Sequence, residues 1–259
     1  MAVELEHSTA SEEALLTPEQ LRARLQAVGE AHYHHRHPFH LRMHAGTLTR
    51  GQLQAWALNR YYYQSRIPIK DALILAKSDD PAFRRAWRKR ILDHDGDGDS
   101  HGGIEKWIQL AEASGLSRDL VIPCGGVLPG VRYAVDAYLA LVRESSLLVA
   151  VASSLTELFS RDLISLRIDQ LRLHYPHLSS GLAYFVGRLT QAPADAAFAL
   201  DFVTRNAHTR GEQEQAIGAL ARKCELLWAQ LDAIDYAYVQ PGNVPSGCFV
   251  PDSHAAERS

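Results

Sequence analysis

The stretch DPAFRRAWRKRILDHDGDG, residues 80–98, decides how the chain is read. Asp80 is an N-cap, Pro81 takes the first helical position, and Gly96 and Gly98 close the segment after about four turns. The same punctuation recurs upstream. Thr17-Pro-Glu-Gln20 and Thr49-Arg-Gly-Gln52 both carry the capping-box pattern, the first helix running to about Gly29 and the second into LQAWALNRYYYQS. Residues 103–115, 131–143, 145–160, 161–173, 180–190, 195–208 and 212–238 space their apolar side chains three and four apart. No stretch sustains the period-2 alternation of a half-buried strand. The expectation is an all-α fold, a compact bundle of about seven to ten helices forming one domain over residues 17–239. Flexible tails are expected at 1–16 and 240–259, the second marked by Pro241, Gly242, Pro245, Gly247 and Pro251.

Composition narrows the function classes. Of 259 residues, 46% are hydrophobic and 22% charged, which supplies a full core and excludes a disordered or fibrous chain. A net charge of −3 lacks the basic footprint of a nucleic-acid or acidic-membrane binder. Cys124, Cys224 and Cys248 form no CxxC pair, which suits a reducing compartment. The acidic start MAVELEHSTASEEALL has no basic region followed by an apolar run, and no apolar segment reaches the roughly 20 residues of a membrane helix. A soluble cytoplasmic protein is expected.

Three stretches could carry chemistry. His32, His34, His35, His37, His40 and His44 crowd into thirteen positions, but Pro38 interrupts them, no carboxylate lies among them, and the spacing matches neither HExxH nor ExxH. They read as loop, interface and hydrogen-bonding residues, with one or two reaching a pocket. Arg60, Tyr63 and Gln64 share one face of an otherwise apolar helix, where a polar ligand would satisfy them; an ordinary amphipathic helix explains the same letters. Arg90 and His94 stand one turn apart at a helix end, where Asp93, Asp95 and the helix dipole could tune His94 as a general acid or base. The alternating Asp93, Asp95, Asp97 and Asp99 mimic a calcium loop, but Ile104 stands where the bidentate glutamate belongs.

Further polar positions inside helices are Tyr138, Thr156, Glu157, Arg167, Tyr184, Arg188 and Lys223. Gathered with Arg60, Lys70 and Arg90 in one cavity, they would supply an excess of fixed positive charge, which a ligand bearing several carboxylates or phosphates would neutralise. No GxGxxG, Walker A loop, GxSxG elbow or zinc spacing competes.

In order along the chain stand Tyr33-His34 to His44, NRYYYQ, IPIKDA, RILDHDG, HGGIEKW, LPGVRYAVDAYL, SSLTELF and HYP. On these motifs the chain resembles the pyrroloquinoline-quinone synthase family from about Leu21 to Tyr238. The resemblance implies a haem-oxygenase or TenA type of helical fold, a homodimer, and a cofactor-free, metal-free oxidase. That oxidase would use O₂ for the ring closure and oxidation that form pyrroloquinoline quinone, releasing hydrogen peroxide. It implies a bicyclic quinone-like amino-acid substrate held by His34, Arg60, Tyr63, Gln64, Lys70, Arg90, Tyr138, Thr156, Glu157, Arg167 and Lys223. It makes His94 the proton-transfer residue and places Tyr184 and Arg188 on the oxygen side. It also brings in the small carrier protein PqqD, sometimes fused behind such a chain, for which the C-terminal tail would be a linker. One position departs from the family: Ile164 stands where a histidine is expected, and it cannot transfer a proton. Two rival readings share the fold. One is a protein that binds or delivers the quinone; the other is a TenA-like aminopyrimidine hydrolase, for which Cys224 is the candidate nucleophile.

Overall fold

The computed structural model describes residues 14–252, so the expected N-terminal tail lies outside the described residues except for residues 14–16. The elements, in chain order, are α1 (Pro18–His32), α2 (Pro38–His44), α3 (Arg50–Leu75), α4 (Pro81–Asp95), α5 (Gly103–Ser114), α6 (Arg118–Val121), α7 (Pro129–Glu144), α8 (Leu147–Ala152), α9 (Ser160–His174), α10 (Ala183–Asn206) and α11 (Arg210–Tyr238). Short 3₁₀ turns at His34–Arg36, Leu155–Phe159 and Pro176–Gly181 join some of them. Among the described residues the extended pairing is limited to one isolated bridge, Gly96 with His101. The all-α expectation is met.

The helix starts follow from their caps. Thr17 and Thr49 each complete a capping box with the glutamine three residues on, and Thr209 does the same with Glu212 at the head of α11. Asp80 accepts from the backbone N–H of Ala82 and Phe83 at 2.8 and 3.2 Å. The long α3 packs against α4, α5 and α7, while α11 runs along α7 and α1, and α10 along α9 and the 155–159 turn. Trp56 stacks on Phe185, and Trp107 meets both edge-on, where α3, α5 and α10 come together.

Two boundaries differ from the periodicity reading. The helix expected over 145–160 stops at Ala152, because Ser153 Oγ donates back to the Ala150 carbonyl and Ser160 Oγ to that of Glu157, and the chain tightens into a 3₁₀ turn. Thr156 and Arg167 therefore do not share one helix. Conversely, the two helices expected at 180–190 and 195–208 are one, since α10 continues through Pro193 with the loss of a single backbone donor.

The described part of the expected C-terminal tail is packed chain. Phe249 N–H donates to the Gly126 carbonyl at 2.9 Å, the Tyr238 hydroxyl donates to the Phe249 carbonyl at 2.8 Å, and Val244, Cys248 and Phe249 lie against the core. Residues 253–259 lie outside the described residues. No helix among those described is long and apolar enough to cross a membrane.

Two helical glycines separate packing from propensity. A methyl group at Gly29 in α1 would run into the Phe159 ring, whereas Gly218 in α11 faces open space. Gly29→Ala should lose about 1–3 kcal/mol through overpacking, and Gly218→Ala should gain up to about 1 kcal/mol through helix propensity. Urea unfolding of both variants checks the opposite signs.

Candidate active site

One buried cavity gathers side chains from α3, α4, α9, α10 and the 155–159 turn. From α3 come Arg60, Tyr63, Gln64, Ile67, Lys70 and Asp71, a stripe at helical spacing. Arg60 lies 4.0 Å over the Tyr63 ring and donates to Gln230 Oε1 at 3.4 Å, while Gln64 Oε1 accepts from the Tyr184 hydroxyl at 3.0 Å. Lys70 Nζ pairs with Asp71 Oδ1 at 2.5 Å and reaches Ser154 Oγ at 3.3 Å. Both side chains of that pair are buried.

The end of α4 supplies Arg90 and His94. Arg90 lies 4.4 Å over the Trp87 ring and ion-pairs with Glu157, its Nη1 donating at 2.8 Å. His94 Nδ1 lies 3.0 Å from the Arg90 carbonyl oxygen. A carbonyl only accepts, so Nδ1 carries the proton and Nε2 keeps the lone pair of the neutral ring. Burial, seconded by Arg188, lowers the His94 pKa to about 4, and Asp71 opposes that shift. The neighbours expected to tune His94, Asp93 and Asp95, are not the carboxylates that act on it. Their loop closes on itself instead, with Asp97 Oδ1 accepting from Asp99 N–H, Ser100 N–H and Ser100 Oγ. The chain can turn back beneath His94 because a Cβ at Gly102 would strike the His94 and Gly96 backbone, and one at Gly103 would press Tyr184 and His94 at 3.3 and 3.5 Å.

Opposite stand α9 and α10. Arg188 Nη2 donates to Glu157 Oε1 at 2.8 Å and its Nη1 to Asp195 Oδ2 at 3.3 Å; Arg90 Nη1 is 3.9 Å from the same Asp195 oxygen. Burial works against both guanidinium charges, yet Glu157 first, then Asp71 and Asp195 for Arg90 and Tyr184 and Asp195 for Arg188, raise both pKa values and hold them cationic. Arg167 differs. It is 7% exposed, its Nε and Nη2 have no hydrogen-bond partner among the described residues, and burial pulls it down to about 10.

Two of the expected residues stand outside this lining. Lys223 Nζ lies 3.3 Å from the Tyr138 ring and 4.2 Å from that of Tyr63, with no hydrogen-bond partner among the described residues, so Tyr138 and Lys223 sit behind the Tyr63 wall. The others, His34, Arg60, Tyr63, Gln64, Lys70, Arg90, His94, Thr156, Glu157, Arg167, Tyr184 and Arg188, all line it, and so does Ile164. Thr156 takes its place from the 3₁₀ turn. Of the histidine cluster, His34 and His40 reach the cavity, burial driving both far below the ordinary range. His37 caps Phe39 N–H and meets Asp232 at 3.1 Å, while His35 and His44 line a second cavity that shares Tyr33 and Leu163 with the first. Among the described residues no three His, Cys, Asp or Glu side chains are grouped to hold a metal ion.

Sequence reasoning missed Asp71 and Asp195. Asp195 follows Arg188 by seven residues on the same face of α10, a signal obscured by ending the helix before Pro193. Asp71 was masked by its neighbour Lys70. Cys224 is fully buried, lines neither cavity, and has its thiol pushed up to about 12 by burial, so it is no nucleophile toward a ligand in the site.

A scan against family models matches residues 22–233 to the TENA/THI-4/PQQC family. The chain belongs to this family. Among its relatives, the pyrroloquinoline-quinone synthase of Xanthomonas euvesicatoria pv. vesicatoria is 55% identical over 244 residues, 94% of this chain and 98% of that protein. Those of Acidiphilium cryptum and Gluconobacter oxydans are 54% and 52% identical, over 92% of this chain and 97% and 99% of theirs. Solved structures agree on the family's fold. A domain from Shewanella denitrificans with a heme oxygenase-like fold gives a TM-score of 0.73 at 12% identity, covering 92% of this chain and all of its own. A TenA homolog from Pseudomonas syringae pv. tomato gives 0.69 at 12%, covering 88% and 100%. At that identity they speak for the fold alone, which is haem-oxygenase-like.

The buried histidines couple this site to stability. His94 is neutral in the folded state down to about pH 4, whereas the unfolded chain protonates it near 6.5. Between those values the unfolded state binds the extra proton, so stability rises with pH through the window and falls with acid. The swing for His94 alone is about 3 kcal/mol. Urea unfolding between pH 4.5 and 7.5 should give a shallower slope for His94→Asn than for the wild type, and parallel slopes would contradict the assignment.

Proposed function

We infer that this protein is a pyrroloquinoline-quinone synthase, an enzyme of pyrroloquinoline quinone formation. The observation that carries this is identity of 52–55% along nearly the full length of proteins so named. The cavity supports the substrate class that goes with it. Six basic side chains, Arg60, Lys70, Arg90, Arg167, Arg188 and Lys223, stand in or directly behind its wall, against the three carboxylates of Asp71, Glu157 and Asp195. Lys70 is satisfied by Asp71, and Arg90 and Arg188 by Glu157 and Asp195. Among the described residues Arg60, Arg167 and Lys223 have no carboxylate partner, and the substrate's carboxylates would supply it.

In this reading the substrate is bicyclic, quinone-like and polycarboxylate, and it undergoes ring closure followed by oxidation. Its own reduced, quinol-like states give up the electrons. Each O₂ takes two electrons and two protons and leaves as H₂O₂, so no metal or organic cofactor is needed. The protein supplies orientation, a base and a charged wall. His94, with its proton fixed on Nδ1, offers Nε2 to accept a substrate proton. Tyr184 and Arg188, one turn apart on α10, would donate hydrogen bonds to reduced oxygen. Ile164 lines the chamber and exchanges no proton, so His94 carries more of that traffic. The same reading includes a homodimer in the cytoplasm, working with the carrier PqqD.

The test is turnover of the bicyclic precursor by metal-stripped protein, followed by an oxygen electrode and a peroxide assay. Oxygen uptake matched by H₂O₂ is expected, and His94→Asn should lower kcat about 10²-fold or more with little change in substrate KM. Activity that returned only on adding iron would overturn the cofactor-free mechanism. Tight quinone binding with no oxygen uptake would turn the assignment toward a binding or delivery protein.

A further inference from the structure

The charges around the cavity are unevenly balanced, and Asp195 is the reason. At one end Arg90 and Arg188 face Glu157 and Asp195, two positive groups against two negative ones, all four largely buried. Each carboxylate touches both guanidinium groups. This balanced end also holds His94, buried beside Arg188 and Asp71, and Tyr184, one turn before Arg188 on α10. Elsewhere in or behind the wall Arg60, Arg167 and Lys223 have no carboxylate within ion-pair distance among the described residues, and they act together on His34. A molecule with several carboxylates can lie in such a cavity in more than one direction, and only this unbalanced cationic part rewards it for bringing them.

We propose that Asp195 is a positioning residue that sets the direction in which the substrate lies: by neutralising the Arg90–Arg188 pair together with Glu157, it denies carboxylates a second anchorage beside His94 and Tyr184. Without Asp195, Arg90 and Arg188 share Glu157 alone. One positive charge then goes uncompensated at the end where the reacting carbons and oxygen must sit. Carboxylates are drawn there, and the substrate is held in a reversed, unproductive pose. Asp195 also fixes the Arg188 Nη1 edge, so its loss frees that guanidinium to turn toward the intruding anion.

The proposal rests on the synthase reading for its substrate, and the experiment separates the two. Asp195→Asn and Asp195→Glu are made in the full chain. Citrate, a redox-inert tricarboxylate, is titrated calorimetrically at low ionic strength, and kcat and KM are measured with the bicyclic precursor. Asp195→Asn is expected to bind citrate about tenfold more tightly and to lose about tenfold or more in kcat, with no rise in substrate KM; Asp195→Glu restores both. A merely structural role predicts the reverse: weaker citrate binding, a raised KM, a lowered Tm and no rescue by glutamate. That result overturns the proposal, as does citrate affinity that stays unchanged or a tighter citrate site with unaltered kcat. Failure of the wild-type chain to turn over the precursor would sink the synthase reading instead, while the citrate titration still measures the charge balance that Asp195 controls.

Discussion

Glu157 ties the molecule's chemistry together: its two oxygens hold Arg90 from α4 and Arg188 from α10, helices about a hundred residues apart in the chain. Two buried guanidinium groups cannot face each other without such a bridge, and the bridge cannot be made from a continuing α8. The serines at 153 and 160 bond back to their own backbone, and the chain tightens into the 155–159 turn that presents Glu157. His94 follows Arg90 by one turn on α4, and Tyr184 precedes Arg188 by one turn on α10. The break in helical periodicity is therefore a requirement of the site.

The rest of the cavity shows a deliberate imbalance. Burying Arg167 and Lys223 without hydrogen-bond partners costs stability in the empty protein, since each loses solvation that nothing replaces. Aromatic faces soften the cost: Lys223 lies against Tyr138 and Tyr63, and Arg167 near Phe185. Rings attract a cation without cancelling its charge. Burial still opposes both charges, pulling Lys223 well below the ordinary lysine range and Arg167 down to about 10, so an anion seated against them would strengthen the charge that burial weakens.

Much of this was legible in the letters, though unevenly. Caps at Thr17, Thr49 and Asp80 announced α1, α3 and α4 because N-terminal satisfaction is a local matter between residues three apart. The face of α3 was likewise readable, since Arg60, Tyr63 and Gln64 are brought together by helical spacing alone. Most other site residues came from the resemblance to a known family. The Arg90–Glu157–Arg188 bridge is a tertiary event among three elements, and no spacing encodes it. Asp195 was hidden because proline ordinarily ends a helix, and α10 runs through Pro193 supported by its packing on α8 and α9. Tyr138 and Lys223 carried the right chemistry, yet depth decided that they stand behind Tyr63.

The opening helix and its glycine-rich end show how a backbone detail becomes chemistry. A neutral imidazole has two tautomers, and only one leaves Nε2 as a base. The Arg90 carbonyl, one turn back on α4, selects that tautomer by accepting from Nδ1 with an oxygen that has two lone pairs. The selection holds only if the ring stays buried against α5, and the chain doubles back there at Gly102, where a Cβ would strike the His94 carbonyl, and at Gly103, where one would come within 3.3 Å of Tyr184. The glycines, the helix end and the low pKa are thus one arrangement. Burial keeps that ring neutral, and its Nε2 lone pair stays free on the cavity side.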